Sequence, residues 1–171
     1  STIGSFRENS IHGPQHVDID CWRLKIEGLV DNPREYTYDE LLARERVKRV
    51  IWLHCVEGWS AIGEWTGVPL RVLLEAAGIL PTARYVQFHA FDGWSDSVDM
   101  PDALHPQTIL AYGMNGRDLP VPHGAPVRLR VERQVGYKNM KFLRSIVVAD
   151  EFDDFGFPGD MKNGWAWYVG I

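Results

Sequence analysis

From residue 21 to residue 30 the chain alternates, with Trp22, Leu24 and Ile26 on one side and Arg23, Lys25 and Glu27 on the other. That period of two predicts a strand with one face on a core, and it leaves Cys21 on the charged side. Asp31-Asn32-Pro33 stops the strand. Residues 38–44 open with Asp39 and Glu40 and centre on Leu41-Leu42, the pattern of a short helix. A second strand is predicted over 47–55, through Val50-Ile51-Trp52-Leu53-His54 to Cys55, with Val56-Glu57-Gly58-Trp59-Ser60 reading as a loop. Residues 69–77 form a helix pattern with Pro69 in its first turn and Gly78 just past its end. Strands follow at 85–90 and 94–98 around the turn signal Asp92-Gly93, then at 109–114, 127–131 and 142–148.

The ends are less regular. Residues 1–20, with His12, Gly13, Pro14 and His16, read as an irregular arm, and residues 150–171 form a tail rich in Asp, Phe, Gly and Trp that predicts no element. No repeat or low-complexity linker interrupts the chain, so residues 1–171 read as a single α+β domain with several strands and two or three short helices.

The 171 residues suffice to bury a core without disulfides or other staples. Hydrophobic content of 45% and charged content of 24% are ordinary for a globular protein, but 7 Trp, 6 Tyr and 7 Phe make it rich in aromatic side chains. A net charge of −5 disfavours nucleic acid as the principal partner, because neutralising phosphates needs a surplus of Lys and Arg. No apolar run is long enough for a membrane-spanning helix, and the opening Ser1-Thr2-Ile3-Gly4-Ser5 does not read as a signal peptide.

Candidate chemistry begins with Cys55, a thiol at the end of a predicted strand. The only other cysteine is Cys21, too distant in sequence for a C-x-x-C redox or zinc motif. A buried hydrophobe, a disulfide with Cys21 and a functional thiolate are the three readings of Cys55. Residues 128–144 hold Arg128, Arg130, Arg133, Lys138, Lys141 and Arg144 against one acid, Glu132. Alternate arginines on a solvated strand face account for Arg130 and Arg133. The run Gly136-Tyr137-Lys138-Asn139-Met140-Lys141 points instead to a small anionic ligand, since glycine permits close backbone approach and lysines supply charge. The six histidines show no metal-ligand spacing. His54 adjoins Cys55, and neighbours on a strand point to opposite faces, which excludes it as a base for that thiol. G-x-G-x-x-G, Walker A and C-x-x-C-H sequences are all missing, which removes the usual motifs for NAD, ATP and covalent haem.

As a set, these residues resemble the molybdopterin-binding domain of the sulfite oxidase family. The resemblance runs through Phe6-Arg7-Glu8-Asn9, Trp22-Arg23-Leu24-Lys25-Ile26-Glu27-Gly28, Leu53-His54-Cys55-Val56-Glu57-Gly58-Trp59-Ser60 and Trp65-Thr66-Gly67-Val68-Pro69-Leu70. It continues in His123-Gly124-Ala125-Pro126-Val127-Arg128 and in the 136–141 run. It is strongest to the branch that includes the catalytic subunit of the bacterial periplasmic methionine sulfoxide reductase. It implies a mixed-sheet fold of the sulfite oxidase type and a molybdenum-molybdopterin cofactor, with Cys55 as the protein thiolate on the metal. It assigns Arg128, Lys138 and Lys141 to the neighbourhood of the pterin phosphate, with Gly136 and the backbone amides of Asn139 and Met140. Arg7, Asn9, His12 and His123 would bond the pterin rings or the chain leading to the phosphate.

The chain departs from sulfite oxidases where substrate meets metal. Trp94 stands where they place a Tyr, and Glu57-Gly58-Trp59-Ser60 replaces the Arg that follows their Cys closely. Trp59, Trp94 and Glu57 thus form a pocket suited to a neutral or amphipathic substrate. The resemblance implies an oxidoreductase performing oxygen-atom transfer, with reduction of a sulfoxide-like or other X=O compound preferred. The alternatives are oxidation of a small oxyanion such as sulfite and a non-catalytic molybdopterin- or anion-binding protein. Lacking a haem motif, the chain would draw electrons from a separate partner, a cytochrome or a membrane haem or quinone protein. The expected compartment is the bacterial periplasm, with the cytoplasm as the alternative.

Overall fold

The alternating segment near the start becomes β1 (Arg23–Gly28), with Leu24 and Ile26 fully buried. It is an interior strand of a mixed sheet. On one side it pairs antiparallel with β2 (Arg34–Thr37), and on the other parallel with the last strand of the chain, Leu143–Ala149. Thr37 closes β2 and caps α1 (Tyr38–Leu42) through a reciprocal capping box with Glu40, at 2.8 and 3.2 Å. The computed structural model describes residues 6–10, 12–152 and 168–171.

A second sheet leads to Cys55. Its edge strand β3 (Val47–His54) pairs along its whole length with β4 (Ser60–Pro69). Pro69 then caps α2 (Leu70–Ala77), whose Leu70, Leu73, Leu74 and Ala77 are buried, and Gly78 ends it in the left-handed conformation. Each such leucine contributes about 1.5–3 kcal/mol of apolar burial. The strands β5 (Tyr85–Ala90) and β6 (Ser95–Asp99) return to the first sheet as a hairpin, and Asp99 caps the short α3 (Met100–Ala103). Strand β7 (Ile109–Met114) pairs with β4 and with both β8 (Arg117–Asp118) and β9 (Arg128–Arg130). The final strand, β10 (Leu143–Ala149), completes a first sheet ordered β2-β1-β10-β5-β6, against a second ordered β3-β4-β7-β8 with β9 beside β7.

Among the described residues, two apolar clusters form the interior. The larger joins Trp22, Leu24, Ile26, the α2 leucines, Phe88 and Ile146, and Trp22 satisfies its buried indole on the carbonyl of Leu143 at 3.0 Å. The smaller is built by Phe6, Ile51, Leu53, Ala61, Trp65 and Met114, and Cys55 and Trp59 pack against its rim. Cys55 is therefore held by a core on one side and open on the other.

The expected mixed-sheet α+β architecture is present, with four differences in detail. Strands β2 and β4 arise where the sequence predicts no element: β2 follows the Asp31-Asn32-Pro33 stop, and β4 begins at Ser60, the end of the predicted loop, and runs on to Pro69. β4 holds Gly63, Gly67 and Pro69, residues poor in strand propensity. Gly67 is required there, since a Cβ on it would sit 2.1 Å from the carbonyl oxygen of Leu110 on β7. β3 ends at His54, which leaves Cys55 in the turn beyond the strand. Arg130 is not on a solvated face: it is 1% exposed, inside the fold. Trp165 and Trp167 of the tail lie outside the described residues.

Candidate functional site

Four stretches of chain converge on Cys55. The first is the turn it opens: the Cys55 N–H bonds the carbonyl of Trp59 at 2.9 Å, and the Gly58 N–H returns to the carbonyl of Cys55 at 3.0 Å. Gly58 has φ +85, a conformation glycine adopts freely, and it folds Glu57 and Trp59 back beside the thiol. The second is the arm. Asn9 Nδ2 donates to Glu57 Oε2 at 2.7 Å and lies 3.5 Å from Cys55 Sγ, while Trp59 Nε1 reaches the same carboxylate oxygen at 3.3 Å. Phe6 anchors the arm by packing edge-on against Trp65 at 5.5 Å and against the His123 ring at 6.0 Å.

The third stretch is the run after β9. Residues 136–138 form a single 3₁₀ turn, and a Cβ built on Gly136 would lie 3.4 Å from the Cα of Cys55. The fourth is the β5–β6 turn, which brings Asp92 and Trp94 to the opposite lip. Together they enclose a cleft of about 490 Å³, lined among others by Arg7, Asn9, Cys55, Val56, Glu57 and Trp59. Trp94, His123, Arg128, Gly136, Asn139, Met140 and Lys141 line it as well.

One wall is cationic and largely dry. Arg128 is 4% exposed; its Nη atoms donate to the carbonyls of His123 at 2.9 Å and Asn139 at 2.8 Å, and its Nε is buried with no partner. Burial pushes its pKa down to about 10, and it forms no ion pair with a described carboxylate. Lys141 Nζ holds the carboxylate of Glu8 at 3.2 Å and the carbonyls of Asn9 and Pro122 at 2.9 and 2.8 Å. Burial, reinforced by Arg128 and opposed by Glu8, lowers its pKa to about 8. His123 is likewise pushed down, first by burial and then by Arg128 and Lys141, which favours the neutral ring.

Three expected cofactor contacts are placed elsewhere. Lys138 turns away from the cleft into the interior, where its ammonium meets Asp96 Oδ1 at 2.5 Å and the carbonyl of Ser97 at 3.0 Å. Burial dominates both partners, raising Asp96 to about 6 and lowering Lys138, with the attraction between the two opposing each shift. The Asn139 amide N–H is spent on the carbonyl of Gly136 at 3.0 Å. His12 is exposed beyond the cleft lining and donates from Nδ1 to the carbonyl of Asp92 at 3.2 Å. Conversely, Glu8, Val56, Asp92 and Tyr137 line the cleft without having been singled out for a role. Glu8 was legible only as part of the Phe6-Arg7-Glu8-Asn9 block.

His54 faces away from the thiol, sharing a hydrogen bond with Ser60 Oγ at 2.9 Å and stacking on Trp52 at 5.9 Å. Both cysteines are free, with Cys21 exposed. Among the described residues no group of His, Cys, Asp and Glu could hold a metal alone, and no helix is long and apolar enough to cross a membrane. The donor set suits one kind of guest. A soft thiol shares the cleft with a buried Arg128 guanidinium that has no described carboxylate partner and a half-buried Lys141 ammonium paired with Glu8, a wall of net positive charge, which fits an anionic organic group that brings its own thiophilic metal.

Residues 12–155 match the sequence profile of the oxidoreductase molybdopterin binding domain. The chain is 40% identical over 156 residues to a candidate protein-methionine-sulfoxide reductase subunit, YedZ1, of Azospira oryzae, covering 91% of this chain and 58% of that protein. It is 34% identical over 154 residues to an uncharacterised oxidoreductase, YuiH, of Bacillus subtilis, covering 89% and 76%. It is 33% identical over 166 residues to the protein-methionine-sulfoxide reductase catalytic subunit MsrP of Ralstonia nicotianae, covering 88% and 50%. Among solved structures, the sulfane dehydrogenase SoxCD from Paracoccus pantotrophus superposes with a TM-score of 0.78 at 27% identity, over 82% of this chain and 41% of that one. The chain thus spans between 50% and 76% of the length of these curated relatives.

Proposed function

The chain belongs to the oxidoreductase molybdopterin binding domain family, and on that premise we propose that it is the catalytic part of an enzyme that reduces a sulfoxide-like or other X=O substrate. The overall change is R₂S=O + 2 H⁺ + 2 e⁻ → R₂S + H₂O. When bound, the molybdenum-molybdopterin cofactor supplies the two electrons and takes up the oxygen atom. The protein supplies ligation, orientation and protons.

Cys55 Sγ would be the protein ligand to molybdenum. Asn9 Nδ2, 3.5 Å away, donates toward that sulfur and fixes its orientation. Arg128 and Lys141 would hold the anionic end of the pterin, with the Met140 backbone beside them and Arg7, Asn9 and His123 nearer the rings. Buried cations are worth most toward a charge that shares their dry surroundings. Glu57 is exposed at the lip of the cleft and bonded to Asn9 and Trp59, so its carboxyl can exchange a proton with solvent and deliver it to the departing oxygen. Trp59, Trp94 and Val56 offer the incoming substrate an apolar wall, which suits a neutral thioether oxide.

The observation that carries this reading is that Cys55 shares one cleft with Asn9, Glu57, Lys141 and Arg128: Asn9 Nδ2 lies 3.5 Å from its sulfur and bonds Glu57, Lys141 holds the Asn9 carbonyl at 2.9 Å, and Arg128 lines the same space with no described carboxylate partner. The preference for reduction draws on the relatives named as methionine sulfoxide reductase subunits. Likeness to a sulfane dehydrogenase favours a second reading, oxidation of a reduced sulfur compound. Turnover by loaded protein separates them. With a reduced dye as electron donor, methionine sulfoxide or dimethyl sulfoxide should be consumed; activity confined to sulfite or sulfane oxidation with an electron acceptor would reject the first reading. We propose a separate redox protein as the source of the electrons. The word subunit in the relatives' names is consistent with that.

A further inference from the structure

Arg130 is a deeply enclosed charge beside the site. It is 1% exposed and makes no ion pair with a described carboxylate. Enclosing a guanidinium without a counter-charge is costly, so its remaining contacts must offset a large desolvation term. Those contacts reach two separate parts of the chain: Nη1 donates to Asn139 Oδ1 at 2.6 Å and Nη2 to the carbonyl of Trp52 at 3.0 Å. The guanidinium lies 4.8 Å from the centroid of Trp65, which supports the fork from below.

Each end of this fork leads into the cleft. Trp52 stands three positions before Cys55 on the edge strand β3. The Cys55 N–H bond to Trp59 makes 53 and 51 the ladder-bonded positions, so Trp52 pairs with Ile62 without hydrogen bonds and turns its carbonyl outward, away from β4. Asn139 closes the loop on the far side. Its Oδ1 also accepts from the Val131 N–H at 2.7 Å, and its Nδ2 donates to the carbonyls of Gln134 at 3.2 Å and Val135 at 2.9 Å. That loop presents Gly136 to the backbone of Cys55 and Lys141 to the arm. Arg130 itself does not line the cleft.

We propose that Arg130 is a positioning residue, a two-pronged clamp that fixes the Cys55 end of β3 against the 134–141 loop. Thiol and anion-binding residues then face one another at a fixed distance. Its importance for catalysis rests on the reading of Cys55 as the metal ligand. Arg130→Lys retains the charge but not the fork, and Arg130→Met retains apolar volume and removes the desolvation cost. In a Cys21→Ser background, three quantities are measured for both variants: the alkylation rate of Cys55 in cofactor-free protein, the melting temperature, and the Mo(V) paramagnetic resonance spectrum of loaded protein. Leu73→Ala in α2, on the larger core, is the control for destabilisation alone.

Both Arg130 variants are expected to alkylate Cys55 about fivefold faster or more, reflecting local release of the strand end. They should also broaden or split the Mo(V) signal. Leu73→Ala should lower the melting temperature with the alkylation rate within about twofold of the parent. Wild-type alkylation in the Arg130 variants, or an equal rise in Leu73→Ala, would overturn the clamp. So would failure of both Arg130 variants to fold, which would make the residue a general core element. Alkylation needs no metal, so a failure to load molybdenum would count against the proposed function and leave this test standing.

Discussion

At Gly124 the backbone adopts φ +106, and a Cβ built there would lie 2.9 Å from the Cβ of Lys141 and 3.0 Å from its Cα and Cγ. Neither partner can retreat easily, because the Phe142 N–H bonds the carbonyl of Gly124 at 3.2 Å and the Leu143 N–H bonds that of Val127 at 2.9 Å. Gly124→Ala therefore meets two costs. A left-handed backbone costs an L-residue roughly 1–2 kcal/mol, and forcing a methyl into packed space costs roughly 1–3 kcal/mol. The reduced freedom of the unfolded chain returns less than about 1 kcal/mol. The expected net loss is about 3 kcal/mol, a fall of roughly 1.5 M in the urea midpoint for a slope near 2 kcal/mol/M. Tryptophan fluorescence of cofactor-free protein in urea reads it directly. Displacing Lys141 also costs the site a charge-assisted hydrogen bond, so pterin retention after gel filtration should fall about tenfold. Gly136→Ala is the comparison. Its new methyl would meet Cys55 Cα and His54 O at 3.4 Å, ordinary contact, so stability should change by less than about 1 kcal/mol. A loss below about 1 kcal/mol for Gly124→Ala, or an equal loss in both variants, would refute the claim that Gly124 makes room for Lys141.

Glu57→Gln preserves an acceptor for Asn9 but removes the exchangeable proton, so sulfoxide reduction should fall about 10²-fold or more with molybdenum content unchanged. Undiminished turnover would remove Glu57 from proton delivery. Lys141 has a folded pKa of about 8 against 10.5 for the free side chain. Between those values the unfolded chain holds a proton that the folded chain has released, so the stability contributed by this residue rises with pH across that window and is flat below it. Denaturation of cofactor-free wild type and Lys141→Met at several pH values checks this: the difference should move in favour of wild type as pH rises above about 8. A constant difference would show that the ammonium is solvated.

Legibility of the fold followed local physics. The strands at 47–54, 85–90 and 109–114 were readable because apolar residues alternate or run continuously between turn signals. Strand β4 was not, because the glycines that let it approach β7 erase its pattern. The parallel pairing of β1 with β10 joins the start and end of the chain, and nothing local encodes it. At the site, Cys55, Asn9, Glu57, Arg128 and Lys141 were legible as residues, and their convergence follows from the family resemblance. The roles of the other basic residues were not. Lys138 and Arg130 look interchangeable with Lys141 and Arg128 in a basic run, and only the fold decides which charge faces the cleft. Lys138 is claimed by Asp96, a partner 42 positions away, and Arg130 by Asn139 and a backbone carbonyl of another strand.

We propose that Cys55 holds molybdenum in the cleft. Metal analysis of protein made in a molybdopterin-competent host, alongside Cys55→Ser, tests it most directly. Wild type should carry about one molybdenum per chain with a Mo(V) resonance on partial reduction, and Cys55→Ser should stay folded while losing that metal or that resonance. Native protein without molybdenum, or a Cys55→Ser variant with unchanged metal content and an unchanged Mo(V) spectrum, would contradict it.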